Sequence, residues 1–209
     1  MAQSEWAEQT VERIAQTIRT VRGERSTQWL ADRTAELGHP ISRVAISNLE
    51  VGRKSGLDVT DLIVLASALN VPPLQLIYPD LVHGPVELLP GKFVSSSSAV
   101  QWFDGQKHLP LPDLRDMSRE DFSRIRSDVN EWERNASPLQ EMRKYLDAKD
   151  ELKHALRSLD FALQRKEKGY EVGLEARQDL VRSAERRVRA LAEGLRKLDL
   201  ILDEDSTDE

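Results

Sequence analysis

The chain has 209 residues, a net charge of −6 and no cysteine. Without cysteine it has no disulfide, no thiolate zinc site and no thiol nucleophile, as expected of a protein in a reducing cytoplasm. Acidic residues interrupt the first twenty positions, and the longest apolar run, residues 62–69, is too short to cross a bilayer, so we expect neither a signal peptide nor a membrane span.

Two segments before residue 40 have helical periodicity. The apolar positions of the first are Trp6, Val11, Ile14, Ile18 and Val21, and the helix is expected to end near residues 22–23. Ser26 can cap the second helix by accepting a hydrogen bond in its first turn. The inward positions of this second helix are Leu30, Ala31, Thr34 and Leu37.

Residues 41–54 are the most informative segment of the chain. Ser42 can cap a helix, and Gly52 suits the left-handed conformation that ends one. Ile46 and Leu49 lie three residues apart on a face predicted to be buried. The opposite face carries Arg43, Val44, Ser47 and Asn48, and the cations Arg53 and Lys54 follow the helix. A buried side, a polar side and a basic exit are the features that a DNA-recognition helix needs.

Two further short helices are predicted before residue 80. Asp58 or Thr60 can cap the first, which Asn70 closes, and Pro73 can open the second, which runs through Ile77. Five short helices in residues 1–80 predict a small all-α domain.

The motifs of these helices resemble a known family in their order. They read Ser26-x-x-x-Leu30-Ala31, then Ile41-Ser42-x-x-x-Ile46-Ser47-x-Leu49-Glu50-x-Gly52-Arg53-Lys54, then Leu65-Ala66-x-Ala68-Leu69-x-Val71. Over about residues 10–78 the chain resembles the Cro/lambda-repressor-type (XRE) helix-turn-helix family. The resemblance implies a five-helix lambda-repressor-like domain whose third helix enters the DNA major groove. The candidate DNA-binding residues are Thr27, Gln28, Arg43, Val44, Ala45, Ser47, Asn48, Arg53 and Lys54.

The chemistry of these residues agrees with that role. Arg43 can bridge guanine O6 and N7, Asn48 can pair with adenine, and Val44 can touch a thymine methyl group. The connection between the second and third helices is longer than in the family, with helix two expected to stop at Gly38 and His39 to be a solvated loop residue.

The charge of residues 1–80 indicates how such a domain would work. This segment holds eight Lys and Arg residues against ten Asp and Glu residues. Five of the cations bracket the predicted reading helix: Arg22, Arg25, Arg43, Arg53 and Lys54. Few phosphate contacts imply modest affinity for a monomer. We therefore expect a dimer.

Residues 81–117 are predicted to be a linker that contains a small structured patch. Val86 to Leu89 reads as a strand that ends in a turn at Pro90-Gly91, and residues 99–103 as a brief helix. The adjacent aromatic residues Trp102 and Phe103 are predicted to pack as a lid on the helix-turn-helix core or on the following helix, or to contact a partner or effector.

Residues 118–203 are predicted to form long helices. Ser118 can cap the first, which carries Phe122, Ile125, Val129 and Trp132 on one face and ends near Asn135; Pro138 then starts the next helix. After Gly173 the third has a heptad seam: Val181, Ala184, Val188, Leu191, Leu195, Leu198 and Leu202. The charged residues alternate in sign, which favours a solvated face over a nucleic-acid patch.

Two arrangements satisfy this helical pattern. The long helices can fold back into an antiparallel hairpin, which with the preceding helix makes a three-helix bundle, or the seam can join two chains as a coiled coil. Both arrangements are compatible if hairpins pair. Residues 204–209 are predicted to be a disordered acidic tail.

The sequence favours a binding protein over an enzyme. Its four histidines are scattered, no phosphate-binding glycine loop is present, and no cofactor or metal is expected. The predicted function is that of a cytoplasmic, nucleoid-associated transcriptional regulator, a bacterial or phage repressor that binds double-stranded DNA as a homodimer on a two-half-site operator. The alternative is an antitoxin or adaptor whose helical C-terminal half binds a protein while the helix-turn-helix autoregulates.

Overall fold

The computed structural model describes residues 2–53, 56–80, 82, 84–112, 115, 117–168, 170 and 173–198. These residues form eight α-helices and one two-stranded sheet, which confirms the predicted mainly α fold class. In chain order the elements are α1 (Ala2–Arg22), α2 (Thr27–Glu36), α3 (Arg43–Glu50), α4 (Val59–Leu69), α5 (Pro73–Ile77), β1 (Pro85–Leu89), β2 (Lys92–Ser95), α6 (Ser96–Phe103), α7 (Arg119–Glu167) and α8 (Leu174–Arg196). None of the described helices is both long enough and apolar enough to cross a membrane.

The chain divides into two compact units, Met1–Pro112 and Asp113–Glu209. In the first unit, α1 to α5 surround one hydrophobic core. Each of the five helices contributes a side chain with at most 1% exposure: Ile18, Leu30, Ile46, Leu65 and Leu76. Because every helix supplies part of the same core, the position of each depends on the other four.

The ends of these helices largely follow the predicted capping residues. The Ser26 hydroxyl accepts a hydrogen bond from the Trp29 N–H at 3.0 Å, and Asn70 closes α4 in the left-handed conformation with φ 58°. Asp58 stands at the N-cap of α4, but its side chain makes no capping hydrogen bond there.

The β-hairpin and α6 also belong to the first unit. A second core of buried side chains lies beneath them: Tyr78, Val86, Leu88, Ala99 and Leu109. The predicted turn at Pro90-Gly91 joins β1 to β2, and this second strand was not predicted from the sequence. α6 begins three residues earlier than predicted because Ser95 caps it. Trp102 packs against this core, and the Phe103 ring meets the Tyr78 ring edge to face at 6.2 Å, in agreement with the packing interpretation.

The second unit is a helical hairpin. α7 is one continuous helix of 49 residues through Pro138, so the predicted break near Asn135 and the three-helix bundle were wrong. A proline removes one backbone hydrogen bond and costs about 3 kcal/mol inside a helix. Good helix formers such as Glu133 and Glu141 occupy the turns on either side, and the helix continues on both sides of Pro138.

α8 packs on α7 within the same chain, as the hairpin prediction required. At 1.5 Å per residue α7 is about 74 Å long and α8 about 35 Å, so α8 is paired with roughly half of α7. Val181 and Leu195 of the predicted seam are buried. Leu202 and the predicted acidic tail lie outside the described residues.

Candidate nucleic-acid interface

Both ends of α3 are held by local hydrogen bonds. The Ser42 hydroxyl accepts from the Ala45 N–H at 3.1 Å. At the other end Gly52 has φ +71°, its N–H donates to the Leu49 carbonyl, and the Arg53 N–H donates to the Asn48 carbonyl at 2.9 Å. These two hydrogen bonds around a glycine in the left-handed conformation form a Schellman motif. The predicted cap and the predicted end of the helix are both confirmed.

α3 has a buried face and an exposed face. Ile46 and Leu49 lie in the core of the first unit, whereas Arg43, Val44 and Ser47 are exposed, with 61% of Val44 accessible. Asn48 is half-buried beside them. Arg43, Val44 and Ser47 therefore form an accessible surface on a helix whose other side is fixed.

The remaining candidate residues differ in their surroundings. Ala45 is half-buried and packs against the core, so it lies towards the protein interior. At the start of α2 Thr27 is half-buried and Gln28 is exposed, and the Gln28 amide donates to Asp32 Oδ1 at 2.7 Å. Arg53 is exposed, and Lys54 lies outside the described residues.

Thr34 holds the long connection between α2 and α3. Its hydroxyl is completely buried, accepts a hydrogen bond from the Ile41 N–H at 2.9 Å and donates to the Ala31 carbonyl at 2.8 Å. Gly38, with φ +83°, turns the chain after α2 as predicted. The sequence placed Thr34 facing inward but did not reveal this role. A threonine in an apolar stripe beside a long loop was the available signal, because a buried hydroxyl needs a partner.

We expect Thr34→Val to lower the free energy of unfolding by about 1–3 kcal/mol, because valine keeps the shape but leaves the buried Ile41 N–H without its acceptor. Thermal unfolding of the protein measures this. Thr20→Val is the matched control, since Thr20 is exposed and its hydroxyl donates only to the Gln16 carbonyl in its own helix. Equal effects of the two substitutions would contradict the anchoring role of Thr34.

Arg22 joins the end of α1 to the end of α3. Its Nε and Nη2 donate to Glu50 Oε1 and Oε2, both at 2.7 Å, and only 12% of the Arg22 side chain and 6% of the Glu50 side chain are exposed. The hydrogen bonding to Glu50 raises the pKa of the Arg22 guanidinium. The sequence predicted Arg22 as one of the cations around the reading helix, whereas the structure uses it as an internal partner of α3.

Arg25 is also engaged within the protein. Its Nε donates to the Arg22 carbonyl at 2.9 Å and its Nη2 to the Val21 carbonyl at 2.7 Å, and its guanidinium lies 4.2 Å from the Trp29 ring centroid. Of the cations predicted to bracket the reading helix, Arg43 and Arg53 are exposed and form no ion pair within the described part of the chain.

His39 is exposed as predicted, but it also contacts α4. Its Nε2 lies 3.1 Å from Asp61 Oδ1, which ties the connection between α2 and α3 to the first turn of α4. The long connection is therefore held at two points, Thr34 and Asp61.

Comparison with known proteins found no matching family model, no similar curated protein and no similar solved structure. Within the described residues, no group of three or more His, Cys, Asp or Glu side chains could hold a metal ion. The exposed face of α3 is the candidate site that both the sequence and the geometry single out.

Proposed function

We propose that this protein is a sequence-specific DNA-binding regulator in which α2 and α3 act as a helix-turn-helix of the XRE type. One observation carries the proposal: α3 presents Arg43, Val44 and Ser47 to solvent while Ile46 and Leu49 anchor it in the core. A helix mounted in this way can enter the major groove, which is about 12 Å wide and admits an α-helix.

The exposed side chains of α3 suit the edges of base pairs. Arg43 can donate two hydrogen bonds to guanine O6 and N7, and the Val44 methyl groups can contact the methyl group of thymine. Asn48 can pair with adenine N6 and N7 once its half-buried amide faces the groove. Gln28 and Arg53 would contact phosphates on either side of α3.

The small number of exposed cations around α3 supports a dimer. Two copies would place their α3 helices in successive major grooves, about 34 Å apart. Bound in this way in the cytoplasm, on the nucleoid, the protein would exclude RNA polymerase from overlapping promoters. We propose a binding role with no catalytic step.

The second unit is the proposed dimerisation element. Its two helices leave large apolar side chains exposed, among them Leu146, Leu156, Phe161 and Leu180. Such side chains favour a further protein surface as their partner. The same observation supports the second candidate function, an antitoxin or adaptor that binds a different protein through this unit.

Selection of bound duplexes from a random DNA pool tests the function. The proposal predicts an enriched inverted repeat whose half-sites are about 10–10.5 base pairs apart, or a multiple of that spacing. A parallel selection with Arg43→Ala should lose the preference at one position of each half-site. Absence of any enriched motif from the wild-type selection would refute sequence-specific binding.

We expect Arg43→Ala and Asn48→Ala each to weaken binding to the selected site by about 1–3 kcal/mol, with little change in affinity for unrelated DNA. Fluorescence anisotropy with both duplexes measures the difference. Arg19→Ala is the matched control, because it removes the same charge from an exposed position on α1. An equal loss on both duplexes would exclude a base-reading role.

A further inference from the structure

The solvent-facing side of α8 is strongly basic. Val181 and Leu195 are buried on the side of α8 that faces α7. The helical period places the following exposed residues on the opposite side: Arg182, Arg186, Arg189 and Lys197. We refer to these four residues as the basic ridge.

The basic ridge concentrates positive charge in an acidic protein. Residues 182–197 hold six Lys and Arg residues and two glutamates, a net charge of +4, although the whole chain has a net charge of −6. Signs alternate along the sequence, but residues three and four apart share one face of a helix. The helix thus collects cations that appear mixed in the linear order, with Glu193 on the same face.

The cations of the basic ridge are available to a ligand. Arg182 pairs with Asp179, and Arg189 Nη2 lies 3.8 Å from Glu185 Oε2, in pairs that are largely solvent-exposed. Exposed pairs of this kind contribute about 0–1 kcal/mol, so a phosphate can displace them. Arg186 and Lys197 form no ion pair among the residues that the structure describes.

The neighbouring Arg187 shows the contrast. It faces α7, where its Nη1 donates to Glu151 Oε2 at 2.6 Å across the hairpin. Arg187 therefore stabilises the hairpin, while the four cations of the basic ridge form no ion pair with α7 among the residues that the structure describes. A structural role in the hairpin does not explain why four cations share the outer face.

We propose that the basic ridge binds the phosphate backbone of duplex DNA without regard to sequence. From Arg182 to Lys197 it is about 22 Å long and straight, which suits a rod-shaped polyanion. Val181 and Leu195 of α8 are packed on α7, and the exposed Leu180 lies off the ridge, so the ridge lacks the continuous exposed apolar side with which an amphipathic helix enters a lipid surface. The inference builds on the proposed DNA-binding function, and it would supply the phosphate contacts that are few around α3.

The salt dependence of non-specific binding tests the proposal. The full-length protein is titrated onto a duplex of about 30 base pairs with arbitrary sequence, between 50 and 200 mM NaCl. The ridge variant is Arg182→Gln/Arg186→Gln/Arg189→Gln. The matched control is Arg119→Gln/Arg124→Gln/Arg126→Gln, three exposed arginines on α7, one of which is also in an i,i+3 ion pair.

Each lost phosphate contact should lower the slope of log K against log[salt] by about 0.9, so the ridge variant should lose about 2.7. Over this fourfold range of salt, wild-type affinity would then fall about 40-fold more than that of the variant. The control should keep the wild-type slope. Circular dichroism verifies that each variant folds. If the triple variant does not fold, Arg186→Gln alone replaces it, and its slope of log K against log[salt] should fall by about 0.9.

Three results would overturn the proposal. They are an unchanged slope in the ridge variant, an equal decrease in the control, and failure of the wild-type protein to bind the duplex at 50 mM NaCl. An acidic protein partner for the ridge would give the first result. The random-pool selection measures sequence preference and not salt dependence, so the two proposals can fail separately. Loss of the ridge should leave the enriched motif unchanged. Loss of the α3 function should remove the motif and keep the salt slope.

Discussion

Glu50→Ala is expected to lower the free energy of unfolding of the first unit by about 3 kcal/mol, which is near the lower limit of the cost of removing one partner from a buried ion pair. The substitution leaves the Arg22 guanidinium, which is 12% exposed, without the carboxylate that accepts two of its hydrogen bonds. It also releases the end of α3 from the end of α1. Urea denaturation of residues 1–112 measures the effect on this unit alone, because the signal of the long helices is then absent.

Two controls separate the Arg22–Glu50 pair from a general loss of charge. Glu36→Ala removes a carboxylate from the exposed Arg33–Glu36 pair and should cost no more than about 1 kcal/mol. The double variant Arg22→Met/Glu50→Leu should recover most of the lost stability, because no buried charge remains unpaired. If Glu50→Ala is no worse than Glu36→Ala, the pair does not hold α3 in place.

Removal of residues 118–209 is expected to weaken binding to a two-half-site operator by about 10²–10⁴-fold. In the proposed dimer, the first α3 to bind would hold the other near its own half-site, so the second contact would become intramolecular. Without the second unit, each first unit would bind alone. Anisotropy with the selected operator, together with sedimentation analysis of both proteins, measures the affinity and the mass.

A duplex with one half-site is the control for this truncation. Its affinity for the truncated protein should match the affinity per half-site of the intact protein at high salt, where the contribution of the basic ridge is small. The ridge variant should keep the oligomeric state and the operator preference of the wild-type protein. If truncation changed neither the operator affinity nor the number of protomers in the assembly, the second unit would serve another purpose.

Much of α3 could be predicted because its determinants are local. The Ser42 hydroxyl caps a turn of its own helix, Gly52 adopts a conformation that other residues disfavour, and Ile46 and Leu49 follow the helical period. Each signal involves residues within about one or two turns of each other. Their outcome therefore depends little on the rest of the chain.

Pro138 shows where such local signals fail. Proline is favoured at the first turn of a helix and disfavoured inside one, and the sequence around Pro138 does not distinguish the two positions. The prediction placed a boundary at Pro138, and the helix continues for 29 further residues to Glu167. A three-helix arrangement was therefore replaced by one long hairpin.

The sequence by itself determined the five short helices, the cap and end of α3 and the identity of its exposed residues, because capping and periodicity act between neighbours in the chain. Only the tertiary structure decided that Arg22 pairs with Glu50, 28 residues away, and that the Thr34 hydroxyl accepts a hydrogen bond from the Ile41 N–H. These partners meet because helices pack around a shared core, and the partner of a buried polar group depends on that packing. The basic ridge likewise emerged once the packing of α8 on α7 defined which side of the helix faces solvent.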